Sequence, residues 1–467
     1  MCPSNTSCSP PATTILQRGC NFFSGPLPLG VVTEVTSSCA GPRRTVAGVT
    51  TSEASDASYL PVMLNPFEPG YFDDPYAQYA AVREADPVHL SPIGMVMLFR
   101  YEDVHRVLRD PSLSVEEKNA QPLPVRLDPD IQEMVDARGE GGTHTMLNLD
   151  PPDHHRLRRL VSKVFTPRTV EELHPRVQEL VDGHLDAVVA RGTGEMDLIA
   201  DLAFPLPFVV ISDMLGIPES ADRNQLREWS GAIVKTFDPI LTREEQLAAF
   251  HAIDSINAFI NETIEWKRTN PGDDLLTALI AAEDEGDRLS SEELIEQVML
   301  LYVAGHETTV NLVGNGTLAL LRRREQLELL QGDPSLDANL PDELLRYDSP
   351  VQMSRRITLK PYEVGGHVIE PGTFLMTCLG SANRDPAKWG DSADRVDLRR
   401  ADANQHVAFG GGFHSCLGAH LARLEARVAI GTLVRRFPNV ELATDTPEWN
   451  GRVVLRGLTR LPLTINA

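Results

Sequence analysis

The residues Ser290-Ser291-Glu292-Glu293 open a mostly apolar run that continues to about Arg322. A serine followed three residues later by a glutamate is a capping box, in which each side chain satisfies an amide left unbonded in the first helical turn. A helix that is apolar on every side has to be buried. The rest of the chain must therefore be arranged around this one helix. Periodicity of about 3.6 predicts further amphipathic helices over residues 76–84, 101–108, 154–165, 170–191, 222–235, 244–268 and 275–282. Runs of strand character, punctuated by Gly or Pro, fall at 96–99, 355–359, 362–364, 367–369 and 373–379. The expected fold class is mainly α with small β-sheets, without internal repeats.

A second constraint is Phe409-Gly410-Gly411-Gly412-Phe413-His414-Ser415-Cys416-Leu417-Gly418, followed by a helical run over 419–435. Glycines let the backbone approach a flat ligand closely, because no β-carbon intervenes. A cysteine before a helix N-terminus meets free amides and the helix dipole, which favour a thiolate, and a thiolate binds iron. A lone glycine turn would equally suit a buried structural cysteine or an anion-binding loop.

Inside the long helix stands Ala304-Gly305-His306-Glu307-Thr308-Thr309. A helical threonine hydroxyl can bond the carbonyl four residues back, here that of Ala304, and next to a glycine this is expected to loosen or bend the helix. An acid beside an alcohol is a suitable proton relay; the plainer reading is a kink with a paired acid. Glu343 and Arg346, three apart, face each other on a helix.

Taken together, these segments resemble the cytochromes P-450, closest to soluble bacterial members that tailor macrolides and other polyketides. The loop matches the family's Phe-Gly-x-Gly-x-His-x-Cys-x-Gly haem motif, and 304–309 its Ala-Gly-x-(Asp/Glu)-Thr-Thr signature. The resemblance covers about 66–467 and implies a single triangular-prism domain that binds haem b. By it, Cys416 is the iron ligand, with Phe409 shielding the sulfur and the backbone of Gly410 and Gly418 in the same loop. His414 would bond a haem propionate, Ala304 would line the haem, and Glu307 and Thr308 would form the acid–alcohol pair. His306 falls at a variable position and receives no role. His154 and Arg158, in Asp150-Pro151-Pro152-Asp153-His154-His155-Arg156-Leu157-Arg158, match further propionate donors, as does Arg356; His155 and Arg355 are their alternatives by one position. Glu343 and Arg346 would be joined by Arg400 in a structural lock.

The implied reaction inserts one oxygen atom from O2 into a C–H or C=C bond of a hydrophobic small molecule. Electrons would come from NAD(P)H through a ferredoxin reductase and a ferredoxin, since the chain has neither a Gly-x-Gly-x-x-Gly loop nor a cysteine cluster. Arg156, Arg159 and Lys163 suggest a basic docking face. Substrate contacts are expected from Val303, Ala304, Val351, Gln352, Met353, Val453 and Val454. A peroxide-driven peroxygenase and a non-catalytic haem sensor or carrier are the alternatives; Glu307-Thr308 argues against both.

Charge and composition exclude other classes. The net charge of −23, from 66 acidic and 43 basic residues, disfavours binding to nucleic acid or to an anionic membrane. No apolar stretch is long enough to span a bilayer: the longest, 204–217, contains Pro205, Pro207 and Asp213. Four of the six cysteines fall in the first 39 residues, which leaves no disulfide framework for the rest and fits a reducing cytoplasm. Residues 1–58, rich in Ser, Thr, Pro and Gly, read as a disordered tail, with Met63 as an alternative start. The expected particle is a cytoplasmic monomer.

Overall fold

The computed structural model describes residues 63–123, 128–137, 144–162, 165–218, 221–281, 283–284 and 287–465. The chain divides into two units, Met1–Arg44 and Thr45–Ala467, and every described residue belongs to the second. The expected tail over 1–58 lies outside the described residues.

The capped helix is the axis of the fold. It runs over Ser291–Leu321. Ser290 Oγ accepts from the Glu293 amide at 3.1 Å, and Glu293 Oε2 accepts from the Ser290 amide at 2.8 Å. Helices Pro205–Leu215, Arg243–Thr269, Leu340–Tyr347 and Ala419–Arg436 pack around it. Burying each large aliphatic side chain, such as Val313 and Leu320, contributes roughly 1.5–3 kcal/mol. The glycines of this helix are points of close approach. A β-carbon at Gly305 would lie 3.0 Å from Ile211 Cδ1, and one at Gly316 would lie 2.7 Å from Leu344 Cδ1. The helical backbone continues through 304–309. Gly305 admits the helix carrying Ile211 there, and the Thr308 hydroxyl donates to the Ala304 carbonyl.

The predicted helix over 170–191 is divided into Pro167–Glu171 and His174–Arg191. Pro175 has no amide to donate to a preceding turn, so it can only begin a helix. The apolar run at 204 onward is itself the buried helix Pro205–Leu215, with both prolines at its start, where amides need no partner. Among the described residues, no helix is long and apolar enough to cross a membrane.

The main sheet orders its strands Val88–Leu90, Val96–Leu98, Phe374–Cys378, Met353–Thr358 and Leu113–Ser114. Val96–Leu98 pairs parallel with Phe374–Cys378; the other pairs are antiparallel. Met353–Thr358 is flanked on both sides, and Arg356 sits opposite Leu375. Its backbone is thereby fixed, which makes Arg356 a rigidly mounted cation.

Candidate functional site

The loop that carries Cys416 hangs from a buried ion cluster. Glu343 and Arg346 are fully buried on helix Leu340–Tyr347. Arg346 donates to both Glu343 oxygens at 2.8 Å, and to the carbonyls of Asn383 at 3.0 Å, Ala393 at 2.7 Å and Arg395 at 2.7 Å. Arg400 Nε reaches Glu343 Oε2 at 3.1 Å, as spacing anticipated. From the same helix, Asp342 accepts from Arg423 Nε at 2.8 Å and lies 3.1 Å from His406 Nε2. The loop therefore leaves His406 from a fixed point.

Within the loop, the amide of Gly410 donates to Val407 O at 2.9 Å, and that of Cys416 to Phe409 O at 2.9 Å. Gly410 and Gly412 adopt φ of +69° and +65°, where a side chain would be strained. A β-carbon on Gly412 would also lie 3.0 Å from Leu108 O. Phe409 packs beneath Arg423, whose guanidinium is 4.7 Å from the ring centroid. Sequence reasoning missed Arg423; its position in the helix after the loop was the available signal.

Cys416 is accessible although it lies in the interior. Burial pushes its thiol up, while the Gly418 amide, Arg158 and Arg423 act in the opposite direction. A cation placed against the sulfur would reverse the balance.

Four cationic or ionisable side chains converge from three segments. His154 is fully buried and His414 partly so; their ring centroids are 4.3 Å apart, and His154 Nδ1 and Nε2 and His414 Nε2 all lack a hydrogen-bond partner. Arg158 donates to Ser415 O at 2.8 Å. Arg356 is buried, and desolvation lowers its pKa to about 10. His154 is lowered to about 4 by burial, then by Arg158 and His155; His414 is lowered to about 3 by burial, then by His154 and Arg356. The nearest acid, Asp150, already accepts from Ser114 Oγ at 2.5 Å and from the Val115 amide at 2.9 Å. Of the alternatives by one position, His155 is exposed against Phe413, and Arg355 pairs with Glu117.

On the central helix, Ala304 is exposed in the middle of a buried stretch and Thr308 is half-exposed. Thr308 Oγ1 donates to Ala304 O at 3.0 Å, the predicted bond. Glu307 Oε2 accepts from Arg452 Nη1 at 3.2 Å, and Glu307 Oε1 lies 3.8 Å from His306 Nε2. Arg452 was not anticipated: an arginine in an irregular loop carries no local signal for a partner 145 residues away.

Two sequence expectations need correction. Gln352 is buried and bonds Tyr76 Oη at 3.1 Å and Ser349 O at 2.6 Å, so it supports packing and does not face a ligand. Arg156 is committed to Glu293 of the central helix, which removes it from a free basic face; Arg159 is exposed, and Lys163 lies outside the described residues.

These residues fit a haem. Propionates would supply the acceptors that the orphaned imidazole nitrogens lack, and an anionic partner for Arg356, which now donates only to the carbonyls of Arg355 and Leu108 and to Ser354 Oγ. Iron would supply the positive charge that an accessible interior thiol lacks. Ala304 offers a side chain small enough to border a flat ring.

The comparisons agree with this geometry. The family model described as Cytochrome P450 matches residues 87–333 and 334–459. Cytochrome P450 107B1 of Saccharopolyspora erythraea is 43% identical over 404 residues, covering 84% of this chain and 96% of that relative. Cytochrome P450 monooxygenase PikC of Streptomyces venezuelae is 39% identical over 430 residues, covering 90% and 97%. Among solved structures, the polyketide synthase cytochrome P450 PksS of Bacillus subtilis 168 superposes with a TM-score of 0.76 at 36% identity, over 87% of this chain and 100% of that one. With its mainly helical fold, its cysteine loop and relatives matched over nearly their whole length, this chain belongs to the cytochrome P450 family of haem-dependent monooxygenases, which bind haem through a thiolate.

Proposed function

We propose that this chain hydroxylates or epoxidises a neutral, hydrophobic small molecule, with Cys416 as iron ligand and Thr308 and Glu307 as the groups that deliver protons. Haem held by a thiolate supplies the activation of O2, one atom going to the substrate and the other to water. Cys416 Sγ is the ligand, its charge supported by the Gly418 amide. His154, Arg158, Arg356 and His414 would hold the propionates, and Phe409 and Gly410 shape the loop that carries Cys416. Ala304 and Thr308 would border the ring from the central helix.

The observation that carries the reading is the Thr308 hydroxyl, bonded to the Ala304 carbonyl at 3.0 Å at the accessible point of an otherwise buried helix. A hydroxyl held in this way presents its lone pairs as acceptors, and it passes its own proton on by releasing the Ala304 carbonyl as it takes up another. Glu307, next in sequence, recharges it.

Among the described residues, the charges at 116–118 are paired. Glu116 holds Lys118 at 2.7 Å, and Glu117 holds Arg355. Val351, Met353, Val453 and Val454 contribute apolar surface, which suits a neutral ligand. The relative PksS, a polyketide biosynthesis cytochrome P450, supports a polyketide-derived substrate. Electrons come from NAD(P)H through a ferredoxin reductase and a ferredoxin, supported by the absence from the sequence of a dinucleotide loop or cluster cysteines.

Thr308→Ala tests the relay. With a converted substrate and a surrogate ferredoxin system, it should keep consuming NAD(P)H while most electrons appear as peroxide. Product per NAD(P)H equal to that of the unaltered protein would overturn the assignment.

A further inference from the structure

Glu307 is held from one side by a loop far away in sequence. Arg452 Nη1 donates to Glu307 Oε2 at 3.2 Å, while Nη2 of the same guanidinium donates to the Gly231 carbonyl at 3.1 Å. Both side chains of the pair are largely buried, at 16% and 14% exposure, so solvent screens the pair weakly. The loop that presents Arg452 is pinned in turn. The Arg452 amide donates to Asn450 Oδ1 at 3.1 Å, and Asn450 Nδ2 to Leu455 O at 2.9 Å. Buried Asp238 accepts from the amides of Val453 at 3.0 Å and Val454 at 2.9 Å. Lys235 Nζ reaches Gly451 O at 3.3 Å. On the other side of the acid, His306 Nδ1 lies 2.7 Å from Tyr302 O, which assigns the ring proton to Nδ1 and leaves Nε2, without a partner, 3.8 Å from Glu307 Oε1.

We propose that Arg452 is a positioning residue for proton delivery: it sets the orientation of the Glu307 carboxylate and ties that orientation to the loop carrying Val453 and Val454. The inference rests on the relay reading of Glu307 and Thr308. Arg452 itself moves no proton. Its guanidinium is a two-ended strut, one end on the acid and the other on the carbonyl that fixes the strut's length. Because Val453 and Val454 are among the apolar residues expected to meet the substrate, contact there acts on the same short loop. Delivery of the proton is thereby linked to occupancy of the substrate space. Lysine carries the charge but lacks the fork, so it reaches the acid without bracing on Gly231.

The test is a double-mutant cycle on the haem-loaded protein with a converted substrate, using Arg452→Gln, Arg452→Lys, Glu307→Gln and the Arg452→Gln/Glu307→Gln pair. Arg452→Gln should lower product per NAD(P)H by about tenfold, the usual scale for a lost charge-assisted hydrogen bond, and should raise the solvent deuterium isotope effect on product formation. Arg452→Lys should recover part of the loss. The double variant should be no worse than Glu307→Gln alone. A crystal structure of Arg452→Gln should show the Glu307 carboxylate turned from its place beside position 452. If Glu307→Gln is impaired while Arg452→Gln keeps normal coupling and isotope effect, or if the two losses multiply, the positioning role is overturned and the relay stands. If Glu307→Gln is itself unimpaired, the relay reading falls, and the positioning role with it.

Discussion

Replacing Arg346 with methionine keeps most of the side chain's length and removes five hydrogen bonds. Two go to Glu343, and three to the carbonyls of Asn383, Ala393 and Arg395. Breaking a buried ion pair by deleting one partner costs about 3–5 kcal/mol, because the remaining charge stays desolvated. The lower end applies to the pair here, since Glu343 keeps Arg400 at 3.1 Å and the Asp397 amide at 2.7 Å. Each carbonyl left dry adds about 1 kcal/mol, and losses within one network are not additive. The expected total is about 4–6 kcal/mol, a large share of the roughly 5–15 kcal/mol that holds a protein folded. Urea unfolding should be followed with two probes, far-ultraviolet circular dichroism for the helices and visible absorbance for the haem. Asp342 ties the same helix to His406 and Arg423, so the haem signal of Arg346→Met should be lost at lower urea than the helical signal. Arg346→Lys should recover little, because an ammonium cannot replace a fork that meets five acceptors. A loss below about 1 kcal/mol, or coincident transitions displaced only slightly from those of the unaltered protein, would refute the reasoning.

Two other substitutions test local physics. Gly412→Ala should lower haem content after expression, measured by pyridine haemochromogen, because φ of +65° and a 3.0 Å approach to Leu108 O leave no place for a methyl group. Glu425 is fully buried with both oxygens unpartnered, and desolvation holds its carboxyl far above the usual range. Its folded pKa lies above its unfolded one, so its contribution is intact below about pH 4.5 and lost as pH rises towards the folded value, at up to about 1.4 kcal/mol per pH unit. Glu425→Gln should therefore be more stable than the unaltered protein at pH 8 and gain nothing at pH 4, as read by urea midpoints.

Much of the site was legible because its signals are local. The Ser290–Glu293 capping box, the Thr308-to-Ala304 bond and the Glu343–Arg346 pair each lie within one or two helical turns, where spacing fixes geometry. Arg400 was reachable by its spacing before the cysteine loop. What escaped the sequence depends on packing between distant segments. Nothing in Gly451-Arg452-Val453 indicates that its arginine meets Glu307, and nothing in the basic pattern of 156–163 indicates that Arg156 turns inward to Glu293. The break at 172–173 was legible in principle from Pro175, yet the apolar periodicity continues across it. That His154 is buried while His155 is exposed depends on the helix face that the neighbouring loop covers.

Cys416 carries the central claim, and the carbon monoxide spectrum of the reduced protein tests it most directly. The unaltered protein should show the strongly red-shifted Soret band of thiolate ligation. Cys416→His should lose that shift even where haem is retained. Cys378→Ala should keep it, since Cys378 is buried at the end of its strand with its thiol pushed up to about 12. A red-shifted band that survives in Cys416→His would contradict the account.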